Sequence, residues 1–123
     1  MKLQNNLYTI TDTDTAANAI RIALEADNCI YKAHFPGQPI TPGVCIIQIA
    51  TELFSCLMDC KLELIEVVNA KFLAVINPLE TPAVEYKFSK ITVDDAQQTV
   101  KVAVTVSSPA TVCAKLSLLY KKA

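Results

Sequence analysis

The sequence predicts an α+β domain: one long buried helix packed against an antiparallel sheet of five or six strands that wraps around it. Three observations carry this. Gly43 to about Asp59 reads GVCIIQIATELFSCLMD, an apolar run too long for a strand and free of interior proline or glycine, which fits a helix. Thr99 to Val106 alternates Val100, Val102, Val104 and Val106 with Thr99, Lys101 and Thr105, the period of a half-buried strand. Comparable strand-like runs follow the helix, punctuated by Asn77-Pro78, Asp94-Asp95 and Pro109. With 123 residues and no repeat, linker or low-complexity stretch, residues 1–123 are expected to form a single domain.

In chain order, Leu7 to Ile10 reads as a short strand or lead-in. Asn18 to Leu24 (NAIRIAL) sets Ile20, Ile22 and Leu24 against Ala19, Arg21 and Ala23, again a strand period. Cys29 to Phe35 leads into an unusual loop. The helix follows, with Pro42 placed where a missing N–H costs nothing. Leu62 to Val75, Val84 to Val93, Thr99 to Val106 and Val112 to Tyr120 complete the set of strands.

Composition narrows the function classes. The net charge is −1, so nothing points to nucleic acid or an anionic membrane. No apolar run approaches the roughly 20 residues that span a bilayer, and the first residues, MKLQNNLYTITDTD, lack the apolar stretch of a secretory signal. A cytoplasmic location is the expectation. The five cysteines are odd in number and include no C-x-x-C pair, so buried free thiols are favoured over a disulfide framework. Cys56 and Cys60 stand four apart on the helix, but with one histidine in the chain they make a poor metal set, and no metal or organic cofactor is expected.

Residues 34–43, HFPGQPITPG, concentrate the unusual chemistry. They hold the only histidine, His34, both glycines, Gly37 and Gly43, and three of the six prolines. Prolines at every third position stiffen the loop, and it feeds straight into the helix start at Gly43. Free N–H groups and the positive end of the helix dipole lie there, able to polarise a carbonyl oxygen, and a glycine lets that oxygen approach. His34 has the pKa range of a base at neutral pH. On spacing alone this set reads equally as a catalytic arrangement or as a rigid connector with a satisfied histidine. The helix adds a polar stripe of Gln48, Thr51, Glu52 and Ser55, spaced i, i+3, i+4, i+7 on one face. With one charge in the stripe and an otherwise apolar circumference, a cleft or subunit boundary is favoured over an open solvent face.

HFPGQPITPGVCIIQIATE closely resembles the signature of the hot-dog-fold 3-hydroxyacyl-acyl carrier protein dehydratases, which runs H-F-P-x-x-P-x-x-P-G-V and then enters a helix with an acid followed four residues later by Gln. His34, Phe35, Pro36, Pro39, Pro42, Gly43 and Val44 match. A second stretch, NAKFLAVINP from Asn69 to Pro78, resembles the family's later A-K-F strand. The resemblance implies a hot-dog fold and a homodimer with sites at the subunit interface. It implies His34 as the base that removes the C2 proton of a 3-hydroxyacyl thioester, and the Gly43 amide as the group that polarises the thioester carbonyl. It further implies that Phe35, Pro42, Val44 and Phe72 line the substrate, and that trans-2-enoyl thioester is the product. No cofactor is implied, because the chemistry is proton transfer.

The match fails at one position of consequence. Where the family has its acid this chain has Gln48, whose amide has no carboxyl proton to give. Where the family has glutamine, four residues on, it has Glu52. Positions four apart stack on one helix face about 6 Å apart, so Glu52 is the candidate substitute acid. A displacement of about 1 Å can cost 100-fold in rate. Basic residues that would dock an acyl carrier protein are also sparse: Lys71 is alone near the A-K-F strand, Arg21 is the only arginine, and Lys32, Lys87 and Lys90 are the candidates to compensate. Carrier protein and coenzyme A therefore both stay open. A dehydratase-like hydro-lyase is the leading reading. A non-catalytic acyl-thioester-binding or partner subunit, and a hot-dog thioesterase using Glu52 as base or nucleophile, are the alternatives.

Overall fold

The computed structural model describes residues 3–28, 30–31 and 40–123. Six strands form one antiparallel sheet: β1 (Tyr8–Asp14), β2 (Ala19–Leu24), β3 (Leu62–Phe72), β4 (Ala83–Asp94), β5 (Thr99–Ser107) and β6 (Val112–Lys122). Their order across the sheet is β1-β2-β4-β5-β6-β3, so β1 and β3 are its edges. One long helix, α1 (Gly43–Met58), lies between β2 and β3 in the chain.

The helix forms where the sequence predicts. Pro42 is its N-cap, with φ −62° and ψ 146°. At the other end Asp59 adopts φ 52°, and two bonds close the turn, Asp59 N–H to the Cys56 carbonyl and Cys60 N–H to the Ser55 carbonyl, each 3.2 Å. Cys45, Ile46, Ile49, Ala50, Leu53 and Phe54 are buried and supply the apolar face. They meet the inner face of the sheet, where Val100, Val102, Val104 and Val106 of β5 are all buried as the alternation predicts. Phe54 stacks on Phe88 at 5.3 Å and tilts against Tyr120 at 5.6 Å.

All four tyrosines of the chain are buried, and each spends its hydroxyl on the helix or its lead-in. Tyr86 donates to the Ile46 carbonyl (3.0 Å), Tyr120 shares a bond with the Thr51 hydroxyl (3.0 Å), Tyr8 donates to Glu52 (3.0 Å), and Tyr31 bonds the Thr41 hydroxyl (2.9 Å). A phenol delivers a large apolar body to the core and one directional bond at its tip. The three bonds from strand tyrosines, Tyr8, Tyr86 and Tyr120, help fix the rotation and height of the helix over the sheet, which apolar packing alone leaves loosely defined.

Two boundaries differ most from the sequence reading, the others agreeing within a residue or two. β1 runs on from Ile10 to Asp14 because residues 12–14 pair with 19–21 of β2, with a register shift at Thr11. Its TDTD half is exposed and carries no alternation to betray it. β3 ends at Phe72 rather than Val75, and the chain then turns so that Leu73 and Ala74 N–H both donate to the Cys113 carbonyl.

Candidate active site

At the helix start, the Pro42 carbonyl accepts from Cys45 and Ile46 N–H, both at 3.0 Å. The N–H groups of the first turn that precede them have no partner further up the helix. Thr41 N–H donates to the Ile76 carbonyl at 2.8 Å, tying this end to the segment that follows β3. A cleft of about 270 Å³ opens there, lined by Ile40, Thr41, Gly43, Ile46 and residues 72–76. Gly43 and Phe72, both expected in the site, are in contact: a Cβ at Gly43 would lie 3.0 Å from Phe72 Cζ. The absence of that carbon lets the ring lie on the helix start. Pro42 and Val44 flank this cleft without lining it, and Val44 is exposed on the first turn.

The polar stripe lines a second, separate cleft of about 500 Å³, together with Gln4, Cys56, residues 59–61 and Leu62. The expected pair is adjacent there, since Gln48 Nε2 donates to Glu52 Oε2 at 2.9 Å. The Glu52 carboxylate, the candidate substitute acid, accepts three further bonds. Leu3 N–H donates to Oε2 (2.8 Å), and Gln4 N–H (2.9 Å) and the Tyr8 hydroxyl (3.0 Å) donate to Oε1. Each oxygen thus receives two donors, which fills the usual acceptor positions of an ionised carboxylate. The Tyr8 phenol is pushed well above its ordinary range, first by burial and then by the Glu52 charge and their shared hydrogen bond.

Within one chain, the helix start and the polar stripe therefore serve different clefts. His34 and Phe35, with Pro36, Pro39 and Lys32, lie outside the described residues. Sequence reasoning missed the N-terminal turn as a partner of Glu52. Its one signal was a pair of apolar residues, Leu3 and Leu7, bracketing polar ones, and both are buried. It also missed Lys115, which stands directly opposite Lys71 across β3 and β6. Of the lysines expected to compensate, Lys87 lies two strands further along the same row, beyond Thr105, and Lys90 sits at a kink in β4 with φ 52°.

Among the described residues, no helix is long and apolar enough to cross a membrane. A comparison with curated proteins finds no match. Several solved structures share the fold. The dehydratase heterocomplex ApeI:P from Xenorhabdus doucetiae superposes with a TM-score of 0.69 at 16% identity, covering 92% of this chain and 96% of that one. A sigma28-regulated virulence protein from Campylobacter jejuni gives 0.70 at 14% identity, over 100% and 88% of the two chains. A phenylacetic acid degradation-related putative thioesterase from Ralstonia eutropha gives 0.61 at 11%, over 92% and 83%. At such identities the likeness shows the fold, which is the hot-dog fold. The family model described as ApeI dehydratase matches residues 10–114, most of the chain. That match takes in the helix start with Gly43, the Gln48–Glu52 pair and the A-K-F strand, and with it this chain belongs to the ApeI-like dehydratase family.

Proposed function

We propose that the protein is a dehydratase-type hot-dog protein that takes 3-hydroxyacyl thioesters and interconverts them slowly with trans-2-enoyl thioesters. The observation that carries this is the helix start at Gly43, opening into an apolar cleft against Phe72. In this reading His34 removes the C2 proton. The electron pair moves onto the thioester carbonyl oxygen, which the Gly43 amide stabilises. It then returns to form the C2–C3 double bond as the hydroxyl leaves C3 with a proton. The helix supplies that proton poorly, because Gln48 has none to give and Glu52 is bound on both oxygens. The same saturation argues against a thioesterase role, which needs a carboxylate lone pair aimed at the thioester carbonyl.

The site belongs to a homodimer formed along β3. This edge strand exposes Ile65, Val67, Val68 and Phe72, and among the described residues its outer backbone edge has no neighbour in the sheet. Its charges are self-complementary in an antiparallel pair. Centred on Val67, the midpoint of Leu62–Phe72, a second copy sets Glu63 opposite Lys71 and Leu62 opposite Phe72. That pairing also offsets the like charges of Lys71 and Lys115, which stand opposite each other in the β3–β6 register. Phe72 lines the helix-start cleft and Leu62 lines the polar cleft, so the cleft of one copy meets that of the other. A cytoplasmic setting and a carrier-protein or coenzyme A thioester complete the proposal.

A second reading, an acyl-thioester-binding or partner subunit without turnover, draws on the saturated Glu52 carboxylate. Hydration of a trans-2-enoyl thioester, followed by loss of enoyl absorbance, separates the two. Slow wild-type hydration, lost in His34→Ala and raised at least tenfold in Gln48→Glu, fits the dehydratase reading. Binding without turnover in the wild type fits the second. Neither binding nor turnover, in the wild type and in Gln48→Glu alike, overturns both.

A further inference from the structure

We propose that the sheet carries a binding site for a small phosphate monoester on the face turned away from α1, in a cleft at a bulge of β4. The site stands apart from both clefts described above and does not depend on the thioester reading. Its cleft has a volume of about 420 Å³ and is lined by Lys90, Thr92, Lys101, Val102, Ala103 and Ser117. The bulge shapes it. Ser89 pairs with Ala103 and Thr92 with Lys101, so Lys90 and Ile91 together stand opposite Val102 alone. Such a bulge bends its strand and re-aims the side chains beside it. It also sets Lys90 at φ 52°, the left-handed region that glycine and asparagine enter at less cost. The chain thus holds a charged side chain where backbone ease favours a smaller residue.

The charges and donors of the cleft point to an anion. Two lysines line it and none of the lining residues is acidic. The only ion pair among the described residues is Arg21–Glu85, so neither lysine is neutralised by a carboxylate there. Asp94, two residues beyond Thr92 on the same face, accepts from the Gln97 N–H at 3.2 Å and does not line the cleft. Thr92 and Ser117 add hydroxyl donors, and the Thr92 hydroxyl is held only by a 3.4 Å contact with the Lys90 carbonyl. Ser89, Ala103 and Ser117 pair in one row across the sheet, and Lys87 and Lys115 stand in the next row, extending the positive field. A phosphate monoester carries about −1.5 to −2 charge and three acceptor oxygens, which suits two ammonium groups and two hydroxyls. The volume lies within the range of about 300–1,000 Å³ typical of small-molecule clefts, so the carbon part of an ester has room against Val102 and Ala103.

The test follows the backbone amide resonances of Lys101, Ala103 and Ser117 in the full chain during titration with phenyl phosphate, phenol and inorganic phosphate at fixed ionic strength. Phenyl phosphate is expected to give saturable shifts at these residues, and phenol none. Lys90→Asn keeps the left-handed backbone and removes the charge, and Lys101→Gln removes the other charge. Each is expected to weaken phenyl phosphate about threefold, and the two together about tenfold, the scale of exposed ion pairs. Lys122→Gln takes an equal charge from the other face of β6 and is expected to change affinity by less than about 1.5-fold. An affinity unchanged in the double variant, an equal weakening in Lys122→Gln, or no saturable shift with either phosphate overturns the site. Inorganic phosphate is expected to bind about threefold more weakly than the ester, which adds apolar contact. Equal affinity for the two overturns the ester assignment.

Discussion

Glu52, expected as the substitute acid, receives two donors on each carboxylate oxygen. Its place on the stripe is legible from helical periodicity. Its partners are not, because two of them are backbone amides 48 and 49 residues away, brought in by a turn at the other end of the chain. Removing the carboxylate takes away the acceptor shared by two backbone amides, the Tyr8 phenol and the Gln48 amide. Bonds to a charged group contribute about 1.5–3 kcal/mol each when intact, and part of that loss is recovered by water. Glu52→Ala is therefore expected to lower unfolding stability by about 3–4 kcal/mol in a urea titration. A loss under about 1 kcal/mol contradicts the anchoring role. Gly43 makes a smaller, local prediction. Gly43→Ala brings a methyl within 3.0 Å of the Phe72 ring. The ring is half-exposed and can turn aside, so stability changes by no more than about 1 kcal/mol while thioester affinity drops at least tenfold.

At the level of elements, strand and helix periods placed α1, β2 and β5, each with one buried face and one wetter one, whereas β3, β4 and β6 were legible only as runs between turn signals. β5 is the clearest case: four buried valines contribute roughly 1.5–3 kcal/mol of burial apiece before entropy, and no other register keeps them inside. β1 was read short because an edge strand with an exposed half needs no apolar alternation. The Lys71–Lys115 contact was invisible for a related reason, since only the β3–β6 register brings those two residues together. For β3 the expected outcome concerns assembly. Lys71→Glu sets two acids opposite each other in the β3–β3 pairing and shifts the protein toward monomer by light scattering, and Glu63→Lys in the same chain restores the dimer. A single variant that stays fully dimeric, or a double variant that stays monomeric, rules out the pairing centred on Val67.

The whole molecule carries an alkaline liability written in its tyrosines. Burial raises the phenol pKa of Tyr8, Tyr31 and Tyr86, and pushes Tyr120 up to about 12. The folded state thus keeps protons that the unfolded chain releases near the ordinary phenol pKa of about 10. The sign follows: this stabilisation is complete below pH 10 and is lost as pH climbs from there toward the raised values. For Tyr120 the full loss is on the order of 3 kcal/mol, reached only above about pH 12. Urea midpoints are expected to hold steady up to about pH 9 and to fall steeply beyond 10, with a shallower fall in Tyr120→Phe. The site as a whole was only half legible, since the motif names His34, Gly43 and Phe72 but not the separation of the helix-start cleft from the polar one. The most direct test of a thioester site at the helix start is the infrared carbonyl stretch of a bound trans-2-enoyl thioester, isotope-edited at the carbonyl carbon. A downshift on binding, smaller in Gly43→Ala, is the predicted result, because the amide at the helix start polarises the carbonyl. A bound ligand whose carbonyl stretch stays at its value in water contradicts it.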